Sequence, residues 1–188
     1  MQRRGLAHAG APHLWRAYEL YEDDSDQLRG LNDLGIALLS IGDVAGAERA
    51  LSEVVRREQV GENRTNSLIE LMQCASYRRD RLGFERMRDE GLNNLDQMPA
   101  NIRADYYLKV GIGLARFGNF AKAETNLRRA LEIATAHELN EMVFRIERIS
   151  EGLRECEAPD ELENPAAEPQ LQSAALKELS ASLAALSA

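Results

Sequence analysis

The chain is poor in the residues that build reactive sites. Of its 188 residues only two are cysteine, three are histidine and five are proline. Cys74 and Cys156 form neither a CxxC pair nor a disulfide framework, so a reduced, cytoplasmic protein is expected. His8, His13 and His137 are scattered, and no pair has ligand spacing on a helix face, so no metal is expected. Positive charge is also short: Lys and Arg total 23 against 31 Asp and Glu, a net charge of −8. That balance lacks the basic footprint of nucleic-acid binding and argues against anionic membranes. No apolar run is long enough to span a bilayer. The opening "MQRRGLAHAGAPHLW" has no apolar core of the kind a secretory signal needs.

Motifs for catalysis are missing as well. The glycines show no phosphate-loop spacing. "EDDSD" (Glu22 to Asp26) lacks the glycine and distal glutamate of a calcium loop, and reads as a turn that caps the next helix. Cys74 has no evident cationic neighbour to make it a nucleophile. The expectation is therefore no catalytic residue, no cofactor and no enzyme activity.

What the chain does have is an echo. "LGIALLSIGDVAGAERAL" (Leu34 to Leu51) returns without a gap as "VGIGLARFGNFAKAETNL" (Val110 to Leu127). That separation, read as two periods, predicts a hidden copy halfway. Relative to Gly35 and Gly111, apolar residues stand four and one before and three after: Leu31, Leu34 and Leu38, then Tyr107, Val110 and Leu114. The same offsets around Met72 give Leu68, Leu71 and Ala75, and around Ser150 they give Ile146, Ile149 and Leu153. Such offsets share one face of a helix. Four units follow, anchored at Gly35, Met72, Gly111 and Ser150.

Gly42-Asp43 and Gly118-Asn119 punctuate two of the units. The glycine suits a left-handed helix end, and the Asp or Asn can cap the next helix. Small residues follow where two helices must approach: Ala47 and Ala50 with Val54, then Ala123 and Ala130. Phe84, Met87 and Gly91 hold the equivalent places in the middle copy.

Leu34-Gly35, Ala47 and Leu51, repeated as Val110-Gly111, Ala123 and Leu127, resemble the tetratricopeptide repeat. The anchors stand further apart than in the usual repeat. Their spacing is similar to the extended repeats of helical sensor domains in bacterial signalling and transcription regulators. The resemblance covers roughly residues 12 to 156. It implies an all-α fold, a right-handed superhelical solenoid of antiparallel helix pairs. Each hairpin buries its stripe against the next, which is why the stripe recurs.

Two end segments stand outside the full units. Pro12 suits a first helical turn, and Leu14 and Ala17 stand one period before Leu51 and Val54. Pro12 to Asp24 is therefore expected to be the second half of an unfinished unit that serves as an N-terminal cap, or else the chain is a cut from a longer array. Residues 157–170, "EAPDELENPAAEPQ", carry three prolines and five acids and are expected to be a linker. Residues 171–187 are expected to form an amphipathic helix with Leu176, Leu179, Leu183 and Leu186 on one side. Two seats are open to it. One is the concave groove, in its own chain or as a swapped arm that makes a homodimer. The other is the last first helix, near Ile146 and Leu153.

The resemblance also implies a binding groove lined by the first helix of each unit. Its ligand-contact places fall on Asn32, Asp33, Ile36 and Leu39 in the first unit. They fall on Ile69, Glu70, Gln73 and Tyr77 in the second, and on Asp105, Leu108, Lys109, Ile112 and Arg116 in the third. The Lys, Asn and Arg set with which some members clamp a carboxylate terminus is not at these places. Instead Ile36, Leu39, Ile69, Leu108 and Ile112 form an apolar strip edged by charges, a surface suited to a peptide or an amphipathic helix. The function implied is an adaptor or regulatory protein-binding module that binds neither nucleic acid nor membrane. The alternative is the sensory part of a signalling or transcription-regulatory protein whose output domain lies outside this chain.

Overall fold

The computed structural model describes residues 2–154 and 173–186, with side chains from residue 9 onward. Among the described residues there is no strand. The chain divides into two compact units, Met1–Cys74 with Ala166–Ala188, and Ala75–Pro165.

The first unit holds α1 (Gln2–Leu20), α2 (Asp24–Ser40), α3 (Val44–Arg57), most of α4 (Glu62–Tyr77) and the last helix, α9 (Ala174–Leu186). Asp23 caps α2 by accepting from the backbone N–H groups of Ser25 and Asp26, so the acidic turn does what its sequence suggests. Leu31, Leu34 and Leu38 are buried on α2, and Ala47, Leu51 and Val54 are buried on α3. Arg57 at the end of α3 donates to Asp24 and to Gln27 Oε1 (2.9 Å), fastening α3 to the start of α2. Arg64 on α4 reaches back to the Val55 carbonyl at 2.6 Å.

Two expectations about the ends need correction. Pro12 lies inside α1, not in its first turn, because the helix already starts at Gln2. The last helix forms over Ala174–Leu186, but its seat is neither of the two expected. It packs on α3 and α1. Leu176, Leu179 and Leu183 are buried there, while Ile36 on α2 remains 41% exposed. Ile146 belongs to the core of the second unit, with Leu153 packed against it. The expected linker, 157–170, lies outside the described residues.

The second unit contains α5 (Arg81–Asn93), a 3₁₀ turn (Leu95–Gln97), α6 (Ala100–Arg116), α7 (Phe120–Ala136) and α8 (Asn140–Arg154). Its core gathers Leu108, Ile112, Leu127, Ala130, Ile133, Ile146 and Ile149 from α6, α7 and α8. On α5, Phe84 meets the Phe117 ring with centroids 5.3 Å apart. The Tyr106 hydroxyl on α6 donates to the Arg88 carbonyl at 2.7 Å, and burial raises its pKa.

The helix ends show the period most clearly. Gly42 (φ 89°) and Gly118 (φ 76°) are left-handed, as expected. Arg79 (φ 59°) takes the same conformation between them. In each case the following residue donates back across the turn: Asp43 N–H to Leu38 O, Asp80 N–H to Ala75 O and Asn119 N–H to Leu114 O, at 2.8–2.9 Å. Asp43 and Asp80 then each cap the next helix through a glycine N–H three residues on. Gly42, Arg79 and Gly118 stand at one constant offset from the anchors Gly35, Met72 and Gly111, so the turns keep the period of the apolar stripes.

Candidate functional site

The groove positions separate into exposed, buried and ion-paired groups. In the first unit, α2 leaves Asp33 and Ile36 exposed and Leu39 half-buried. These three lie on one face, at steps of three residues. Asn32 on the same helix is 5% exposed, and its Oδ1 accepts from Ser67 Oγ at 3.0 Å, so it joins α2 to α4. Ile69, Glu70 and Gln73 on α4 are buried as well. Desolvation raises the Asp33 pKa, with Arg29 and the Asn32 amide pulling the other way.

In the second unit the expected strip is absent. Leu108 and Ile112 are 0% and 2% exposed. They belong to the core that α6 shares with α7 and α8, so there they cannot contact a partner. Lys109 is buried beside Asp105, Nζ to Oδ2 2.6 Å, and Arg145 of α8 approaches the other Asp105 oxygen at 3.8 Å. These charges tie α6 to α8 rather than edge a groove. Arg116 is 6% exposed, lies 3.9 Å over the half-buried Tyr77 ring and donates to Ser76 Oγ at 2.7 Å. Arg79 donates to the Arg116 carbonyl. Tyr77 and Arg116 are thus brought together as a joint between the end of α4 and the end of α6.

Sequence reasoning also missed a pocket of about 390 Å³ in the second unit, lined by Arg103, Arg129, Tyr107, Glu132, Asp96 and His137 together with apolar Leu95, Ile133 and Ala136. Arg129 donates to Glu132 at 3.0 Å, and bonds to Glu132 and Tyr107 raise its pKa. The lining carries two guanidinium groups and two carboxylates, so it is close to charge-balanced. Arg103 and Tyr107 stand at i and i+4 on α6, and Arg129 and Glu132 at i and i+3 on α7, ordinary helix spacings that announce no motif.

Among the described residues no group of three or more His, Cys, Asp or Glu could hold a metal ion, and no helix is long and apolar enough to cross a membrane. Cys74 is fully buried. No protein-family model, curated protein or solved structure matches the chain.

Proposed function

We propose that this chain is a tetratricopeptide-like helical repeat protein whose activity is binding, an adaptor or regulatory module for a protein or peptide partner. The repeat reading rests on the left-handed turns at Gly42, Arg79 and Gly118, whose spacing matches that of the buried stripes. In a superhelical solenoid of antiparallel pairs, the first helices would line the concave face, and α2 is such a helix.

The observation that carries the binding role is Ile36. It is 41% exposed on a helix whose Leu31, Leu34 and Leu38 are 0–1% exposed, and it lies one turn from the exposed Asp33. Its repeat counterpart, Ile112, is covered within its own unit. We read this apolar residue, open beside a charge and a half-buried leucine, as a small contact patch for a partner. The contact is narrower than the groove expected from the repeat, and is limited to Asp33, Ile36 and Leu39.

Affinity capture from cells that make the protein tests this, with wild type beside the double variant Ile36→Asp, Leu39→Asp. Partners retained by wild type and lost by a variant that melts like wild type are the expected result. An unchanged set of partners, or none with either bait, overturns the reading.

A further inference from the structure

The seat of α9 is a helix-binding surface distinct from α2. Comparison in the repeat register shows which residues of α3 are buried beyond the core it shares with its later copy. Gly46, Ala50 and Glu53 are buried on α3. Their counterparts on α7 in the later copy are Lys122, Asn126 and Arg129, of which Lys122 and Arg129 are exposed and Asn126 is half-buried. The faces that carry Ala47, Leu51 and Val54, or Ala123, Leu127 and Ala130, are buried alike in both helices. The extra buried line on α3 runs along i, i+4 and i+7, a stripe along one side of a helix. It begins with two small residues where α7 has long polar ones, and α9 packs on α3. The ligand side of this contact is equally simple. Leu176, Leu179 and Leu183, at i, i+3 and i+7, are 0–3% exposed, and the only charges on the helix, Lys177 and Glu178, face solvent.

We propose that this α1/α3 face is a receptor for an amphipathic helix of another protein, one with leucines at i, i+3 and i+7 and few charges, and that α9 is a tethered self-ligand that keeps it closed. A helix of 13 residues is marginal by itself, so α9 depends on its seat and unravels when it leaves. The chain between Arg154 and Ser173 makes the contact intramolecular. Belonging to the same chain gives α9 a local concentration at its seat that a free helix has to match. A free helix of equal affinity therefore displaces α9 only near that concentration. A tighter one, or release of α9, opens the face at lower concentration.

The test uses the full chain carrying Leu179→Glu and Leu183→Glu, with a fluorescein-labelled synthetic peptide of residues 171–188 as the probe. The expected result is that the peptide binds the variant at least tenfold more tightly than wild type, and that a peptide carrying Leu179→Glu binds neither. No binding to a variant that still melts cooperatively overturns the proposal, and so does equal binding to variant and wild type. Native-state amide exchange on wild type gives an independent reading. The expectation is that α9 amides open while α1 and α3 stay protected. Exchange of all three helices together, or a variant that no longer folds, makes α9 an integral part of the fold and contradicts the proposal. A failure here leaves the Ile36 surface untouched, because the two rest on different helices.

Discussion

Gly35 and Leu51 are in contact so close that a Cβ built on the glycine would lie 2.5 Å from Leu51 Cγ, and in the later copy Gly111 and Leu127 repeat the relationship at 2.8 Å. The recurring glycine of the echo is thus a packing residue, the gap into which the second helix inserts its leucine. Gly35→Ala or Gly111→Ala gains helix propensity but overpacks the crossing, and each is expected to destabilise by about 1–3 kcal/mol. Gly10→Ala is the control. Nothing lies within 4 Å of its added carbon, so it should stabilise by about 0.5–1 kcal/mol. Thermal or urea melts of the three variants separate the signs.

Glu138 holds a left-handed backbone, φ 55°, at the end of α7. A side chain there costs about 1–2 kcal/mol relative to the right-handed well, and glycine avoids that penalty. Against this stands the larger backbone entropy that glycine loses on folding, so Glu138→Gly is expected to raise stability by only about 0.5–1 kcal/mol. A lower melting temperature would show that the side chain itself contributes to the turn.

Asp105 lies between the buried Lys109 and Arg145. Asp105→Ala takes away the carboxylate that both cations face, and about 3 kcal/mol of destabilisation is expected. Lys109→Met together with Asp105→Leu should recover most of it, because an apolar pair needs no compensating charge. Urea denaturation of the single and double variants measures both.

Asp33 titrates in the opposite sense from an ion-paired acid. Desolvation raises its folded pKa, so between the unfolded and folded values the native state binds more protons than the unfolded one. Its contribution is therefore neutral in acid and becomes destabilising as the pH rises from about 4 through the raised value. Asp33→Asn should melt higher than wild type at pH 7, with the difference vanishing below about pH 3.5. A difference that grows on acidification would contradict the sign.

The buried stripes were legible because a helix repeats every 3.6 residues and its core face admits little but apolar side chains. Leu31, Leu34 and Leu38 are buried as their spacing implies, and so are Ile146 and Ile149. The middle unit was harder to see, because Arg79 replaces the expected glycine at its left-handed turn, and glycine is the usual signal for that turn. The groove was only partly legible. Position within a repeat does not determine what covers it, so Ile36 is open whereas Ile112 lies in the core of α6, α7 and α8. Lys109 and Arg116 looked like rim charges because nothing local in the sequence shows that Asp105 and Arg145, or Tyr77 and Ser76, come together around them. The seat of α9 was out of reach for a related reason. A leucine seam fits many apolar faces, and only tertiary packing selects the one on α1 and α3.

The binding role of α2 is tested by site-specific photo-crosslinking, with benzoylphenylalanine placed at position 36 in one chain and at position 82 in another. Leu82 is 81% exposed and serves as an equally apolar but unrelated surface position. A discrete covalent adduct with a partner is expected from position 36, and none of that mass from position 82. Adducts of the same kind from both positions, or from position 82 alone, would contradict the binding role of α2.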